Sequence, residues 1–510
     1  MRLATPIVAV GLLASLALLT ALPSASAGGP TTERVSVASD ATEADGPSEA
    51  ASASADGRFV AFASDASNLV PDDSFGARDI FVRDLDAGAT ERVSVGTGGA
   101  EANNHSFTPA ISGDGRYVAF ASFASNIVAN DLNDESDIFV YDRTAGAVER
   151  VSVASNATEG NNESVTPSIS ADGRYVTFTS LATNLVVSDA NNDRDVFLRD
   201  RTSGTTELIS QASDGTQGNF ASGGLGAGPA RVSDDGHLIV FGSFANNLVA
   251  NDANGFDDIF VRDRLASTTE RVSVGDGEEE GNGHSLYGSI SDDGRYIAFA
   301  SAADTFVSGD NLGFVDIFLR DRQAATTVRL SIAPSASEAA GDSAFAMIAA
   351  GGGSVAFQSV ASNLIASDGN GTSDIFRYDL ASSALSRVSV AGDGAEAHGA
   401  SSFVSTSADG RVTAFQSAAP DLVGGDTLGL VDIFVRIEQA QVSPTPTTGE
   451  TATPPDGATP TSAPSAVGLP ETGAGANESE QTAFVPMIAA LVAGVALAGT
   501  ALALRARRPS

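Results

Sequence analysis

The eight residues GRYVAFAS at 115–122 return as GRYVTFTS at 173–180, and the same pattern stands at five further places. Aligned on their first glycine, the copies begin at Gly57, Gly115, Gly173, Gly236, Gly294, Gly352 and Gly410, spaced by 58, 58, 63, 58, 58 and 58 residues. A period this regular over most of a 510-residue chain means that one supersecondary unit is repeated and that each copy buries its faces against its neighbours. The long interval carries five extra residues, in the Gly-rich segment SGGLGAGP at 222–229, and reads as a longer loop.

Each unit holds four strands. A short segment such as PSISADG, 167–173, runs into the octet through Asp-Gly, the residue pair suited to a tight hairpin with positive φ. After the octet come a loop and an apolar strand such as DIFVYDR, 137–143, then a turn and TERVSV, as at 90–95 and 269–274. In the octet Val118 and Phe120 alternate with Tyr117 and Ala119; in the third strand Ile138 and Val140 alternate with Phe139 and Tyr141. Both faces are apolar, as in strands sandwiched between two other sheets. In ERVSV the valines alternate with Arg and Ser, which suits an outer edge.

Seven such sheets around an axis make an all-β, seven-bladed β-propeller of four-stranded antiparallel blades. The ends of the array support closure. Thr32 to Val37 repeats TERVSV before any complete blade, whereas the last third strand, Asp432 to Arg436, has no fourth strand after it. An N-terminal strand completing the C-terminal blade would join the ring. An open solenoid would expose two apolar ends and need capping repeats, and none is visible. Units of the form IS-x-DGRYVAFAS followed by DIFVRDR resemble the PD40, or WD40-like, repeat of TolB-like propellers, from Thr32 to Arg436. The resemblance implies the fold; members of that group serve as binding platforms or as appendages of peptidases, and this chain has no hydrolase domain beside its repeats.

The termini carry addresses. Met1-Arg2, an apolar run from Pro6 to Leu22 and Ala25-Ser26-Ala27 have the parts of a secretory signal peptide, so 1–27 is expected to be removed and 28–437 to form the propeller. Residues 438–468 are rich in Pro, Thr, Ser and Gly and read as an extended stalk. At 469–510, Leu469-Pro470-Glu471-Thr472-Gly473, an apolar stretch from Phe484 to Leu504 and Arg505, Arg507 and Arg508 resemble the LPXTG cell-wall sorting signal of Gram-positive surface proteins. The resemblance implies a sortase that cuts after Thr472 and joins the chain to peptidoglycan. A single-pass membrane helix is the alternative.

With no cysteine, neither disulfides nor thiolate chemistry is available. The formal charge of −36, with arginine as the sole basic residue type, disfavours nucleic acid and anionic lipid and favours cations or basic partners. Before each third strand stands a pair of aspartates six residues apart, from Asp73 and Asp79 to Asp426 and Asp432. In two repeats the positions between also offer oxygen: Asp131, Asn133, Glu135 and Asp137, and Asp189, Asn191, Asp193 and Asp195. Oxygens at alternate positions of a short loop can wrap a hard cation, so these residues are candidate Ca²⁺ ligands; turn-making by Asp side chains is the competing explanation. The recurring Asn68, Asn126, Asn184, Asn247 and Asn363 suit a left-handed bend. The Asp-Arg pairs after the third strand, such as Asp142-Arg143, suit a turn with local ion pairs. No G-x-S-x-G nucleophile elbow occurs, and no catalytic motif is found. The expectation is a wall-anchored binding module whose ligand, an extracellular protein or polymer, is unidentified; an extracellular hydrolase or lyase working in the propeller channel, or a surface spacer, are the alternatives.

Overall fold

The structure is a computed structural model that describes residues 29–334 and 337–438. The expected signal peptide, most of the expected stalk, the LPETG motif and the C-terminal hydrophobic segment lie outside the described residues. No helix among the described residues is long and apolar enough to cross a membrane.

The strands form seven four-stranded antiparallel sheets. The second blade is representative: Ser106–Ile111 innermost, then Tyr117–Ser122, Asp137–Asp142 and Ala147–Arg150 at the rim. In the seventh blade the rim strand is Thr31–Arg34, paired antiparallel with Asp432–Ile437 so that Thr31 faces Ile437 and Arg34 faces Phe434. The ring is therefore closed by the N-terminal strand.

Blades adhere through the apolar faces of their middle strands. Phe120 and Phe139 face each other in register with centroids 5.9 Å apart, and they pack with Ala61, Ile80 and Val82 of the first blade. At the closure, Val60, Phe62 and Phe81 of the first blade meet Val412, Ala414, Ile433 and Val435 of the last. Each such buried aromatic or aliphatic side chain contributes about 1.5–3 kcal/mol.

The Asp-Gly turns set the spacing between blades. Gly173 has φ +72°, and a Cβ there would stand 2.1 Å from the Tyr117 ring of the preceding blade. That ring lies between two guanidiniums, Arg116 at 4.7 Å and Arg201 of the next blade at 4.4 Å. Arg116 is held in turn by Asp142, at 3.0 and 2.7 Å. Asp142 also accepts the Thr144 N–H, so the Asp-Arg segments are turns with local ion pairs.

The same turns meet around the axis at one end of the ring. Ala55 N–H donates to Gly113 O, Gly113 to Ala171, Asp292 to Ala350, Gly351 to Ala408 and Ala408 back to Ala55, at 2.8–3.0 Å.

The five extra residues correct one expectation. They do not simply lengthen a loop: Gly224–Ala227 forms a helical turn, and the inner strand of the fourth blade shrinks to Arg231–Val232.

Candidate functional site

Two constellations stand out, one repeated around the ring and one on the axis. In the second blade Asp131 and Asp137 are brought within 4.8 Å of each other and of Glu159. Arg150 on the rim strand reaches in among them, with Nη1 2.7 Å from Asp137 and 3.7 Å from Asp131 and a further ion pair to Glu159. Ser152 donates to Asp137 at 2.5 Å and accepts the Ile138 N–H. The ERVSV motif thus places both an arginine and a serine on the aspartate of the third strand.

Desolvation dominates the electrostatics. It pushes Asp131 up to about 6, helped by the neighbouring Asp137, and Asp79 and Asp310 up to about 7. Glu43, in the seventh blade, resists the same desolvation: hydrogen bonds from Thr427 and Arg34 hold it down to about 2.

These acidic groups have the oxygens to hold a cation, and Asp131 and Asp137 of the loop set expected from the sequence are among them, joined by Glu159. Asn133 braces its own loop, donating to Gly160 O at 2.8 Å and accepting the Glu135 N–H at 2.9 Å. Asn191 does the same with Gly218 O and the Asp193 N–H, each at 2.9 Å. Glu135 does not belong to the group formed by Asp131, Asp137 and Glu159. The place of a cation among those carboxylates is taken by the Arg150 guanidinium. In the third blade the rim residue is Leu208 and Gln217 stands in place of the third acid, its amide donating to Asp189 at 2.8 Å and to Asp195 at 2.7 Å. Loss of the arginine accompanies loss of one carboxylate, as charge balance requires.

The arginine, serine and glutamate of this cluster are not among the residues expected from the loop pattern. Their signal was available: the Glu stands nine residues after the Arg, as in Arg92 and Glu101 or Arg150 and Glu159, and the two change together in one repeat. The recurring asparagines are also corrected. Asn68 and its equivalents are not among the residues with positive φ. Asn68 instead donates to Glu43 O at 2.7 Å and accepts the Asp45 N–H at 3.0 Å, tying its loop to the preceding crossover.

The second constellation is the central channel, which encloses roughly 190 Å³. In six blades the inner strand carries a bulge, as between Val165 and Ser168. The residue seven before each octet glycine lies in it with φ between 49° and 57°: Ala50, Thr108 and Thr166 on one side, Tyr287, Phe345 and Phe403 on the other. Bulges re-aim side chains, and these six line the cavity. A left-handed conformation in Thr, Tyr or Phe costs on the order of 1–3 kcal/mol and is characteristic of ligand sites. Gln416 of the last blade supports the strained backbone by accepting the Ala50 N–H at 3.1 Å.

The wall is asymmetric. Tyr287, Phe345 and Phe403 form a ladder with centroids 4.4 and 4.5 Å apart, whereas Ala50, Thr108 and Thr166 leave the opposite side open. Between them, on the shortened strand of the fourth blade, Arg231 also lines the cavity. The carboxylate on the wall, Glu49, is engaged by Arg78 at 2.9 Å.

No family model matches the chain, and no curated protein matches it. Solved structures resemble it at low identity. The β-propeller domain of the Trilobed protease from Pyrococcus furiosus, described as having an open velcro topology, is 14% identical over 78% of this chain and 94% of that one, with a TM-score of 0.48. An oligogalacturonate lyase in complex with manganese is 13% identical over 81% and 99%, at 0.46. TolB from Acinetobacter baumannii is 14% identical over 71% of this chain and 60% of that one, at 0.35.

Proposed function

We propose that this chain is an exported, wall-anchored β-propeller that acts as a binding module and takes its ligand, or the tip of a larger one, in the central channel. The observation that carries this reading is the broken symmetry of the channel wall. The blades are otherwise close copies, yet at the bulge position three consecutive blades present aromatic rings and three present small side chains, all with strained backbone. Packing between blades does not require this, because these side chains face the axis.

The anchoring part of the proposal rests on the order of signal peptide, stalk, Leu469-Pro470-Glu471-Thr472-Gly473, apolar segment and arginines. Its partners would be a sortase and peptidoglycan. Membrane contact would be confined to the C-terminal segment before sorting, and the acidic surface disfavours nucleic acid. Ca²⁺ has no assigned place in the reading, since arginine or glutamine already answers the aspartates. A hydrolase or lyase in the channel would need a free acid or base on the wall, and Glu49 is held in an ion pair.

Two experiments test the proposal. Thr472→Ala should move the chain from the wall fraction, released by peptidoglycan digestion, to the membrane or medium; unchanged wall attachment would defeat the anchoring. Thr108→Tyr, which copies the residue of the fifth blade, should fill the channel. Saturation-transfer NMR of the full chain with a library of small ring compounds should give signals that this variant loses while its melting temperature holds. Signals that persist in the variant would place binding elsewhere, and their absence from the parent chain would remove the channel reading.

A further inference from the structure

Arg231 stands five residues before its octet glycine, where the other blades have Ser52, Ala110, Ser168, Ser289, Met347 and Ser405. Those serines serve the ring: Ser52 accepts the Ile111 N–H of the next blade at 3.2 Å, and Ser289 accepts the Ile348 N–H at 3.0 Å. Arg231 replaces that small hydroxyl with a guanidinium directed at the cavity it lines.

Among the described residues every other arginine has an ion pair or a side-chain hydrogen bond; Arg231 has neither. This is a chain with 64 acidic and 28 basic residues, so carboxylates are abundant and this guanidinium has nonetheless been left unanswered. Desolvation alone acts on it, pulling its pKa down to about 10 with no carboxylate to offset the loss. A half-buried charge without a partner is costly, and a ligand anion would reduce that cost. The planar fork of a guanidinium matches a carboxylate with two parallel hydrogen bonds. A phosphate dianion would call for further cations, whereas Arg78 is already committed to Glu49.

We infer, resting on the channel reading above, that the ligand is a carboxylate borne on a six-membered ring, the carboxylate taken by Arg231 and one face of the ring laid against the ladder of Tyr287, Phe345 and Phe403. Tyr287 joins the two parts: it belongs to the ladder and sits on the blade after Arg231, beside Gly228, where a Cβ would come within 2.8 Å of its ring. Offset stacking on these rings accepts an aromatic ring or the apolar face of a pyranose.

The test is calorimetric titration of the full chain with benzoate and glucuronate, each beside its methyl ester, repeated with Arg231→Ser. Serine is the residue of four other blades at this position, so the variant retains a side chain the ring accommodates, and its melting temperature should not fall. At least one acid should bind about tenfold more tightly than its ester, and the variant should lose that difference while keeping the ester's affinity. Which acid binds decides between an aromatic and a sugar ring. Equal binding of acid and ester, or an acid affinity untouched in Arg231→Ser, overturns the inference and leaves the channel reading standing. If no acid and no ester binds, the inference falls; if the ring library is silent as well, both fall.

Discussion

Ser36 donates its hydroxyl to the Asp432 carboxylate at 2.5 Å across 396 residues of sequence, the bond that Ser152 makes to Asp137 within one blade. The N-terminal segment therefore brings to the last blade a complete copy of the rim cluster and not only a strand. Arg34 lies 2.7 Å from Glu43 and 3.3 Å from Asp432, and Glu43 accepts the Thr427 hydroxyl at 2.8 Å. Closure is thus electrostatic as well as apolar. Arg34→Leu leaves three converging carboxylates without a counter-ion and should cost roughly 3–5 kcal/mol. Denaturant unfolding measures it; a loss below about 1 kcal/mol would show that the cluster does not hold the ring.

The third blade supplies its own double-mutant design. Arg150→Leu alone should destabilise by about 3 kcal/mol or more, because Asp131, Asp137 and Glu159 remain buried together. Adding Glu159→Gln recreates the Leu208 and Gln217 arrangement, in which the amide bridges both aspartates. The double variant should recover most of the loss, a coupling of at least about 1 kcal/mol. Additive costs would mean that the two changes in the third blade are unrelated.

Repeats made the architecture legible, because period, strand count and the orphan TERVSV at Thr32 constrain a closed ring almost uniquely. What stayed hidden depended on departures from the repeat. Asp131 and Asp137 were conspicuous, but their partners Arg150 and Glu159 lie on different elements and converge only once the blade has folded. Arg231 and the aromatic ladder were invisible for another reason. Alternation along a strand does not show that a bulge turns Tyr287, Phe345 and Phe403 toward the axis, and a five-residue Gly-rich insertion carries no pattern that marks the shortened strand of Arg231.

Raised aspartates imply that stability falls toward alkaline pH. Asp79 and Asp310 titrate at about 7 in the fold and Asp131, Asp252 and Asp316 at about 6, against about 4 in an unfolded chain. Between those values the folded state binds more protons, so stability should rise as pH drops from about 8 to about 5. Glu43, held at about 2, acts in the opposite sense, and its contribution is lost below about pH 4. The melting temperature should therefore peak near pH 5. A melting temperature that climbs steadily from pH 5 to pH 8 would contradict this account.

If arginine already answers the aspartates, Ca²⁺ should do little. A ligand that binds only the folded form must raise the melting temperature. Millimolar Ca²⁺ and chelator should give the same curve in the parent chain. Arg150→Leu should behave differently, since its three carboxylates then lack a cation, and Ca²⁺ should partly restore its stability. A Ca²⁺ shift in the parent that Asp137→Asn abolishes would show that the metal displaces the guanidinium.

Blade spacing gives the last prediction, through two glycines with the same backbone strain and different surroundings. Gly173 and Gly76 both have positive φ, at +72° and +61°, but a Cβ on Gly173 would strike the Tyr117 ring at 2.1 Å whereas one on Gly76 would meet nothing within 4 Å. Left-handed strain alone costs about 1–2 kcal/mol in either alanine variant. At Gly173 the ring must also yield, and it is clamped between Arg116 and Arg201, so overpacking adds about 1–3 kcal/mol. Gly173→Ala should therefore lose more than Gly76→Ala in denaturant unfolding. Tyr117→Ala in the same background should reverse that excess, because removing the ring removes the collision; equal losses in the two single variants would mean that the turn does not press on its neighbour.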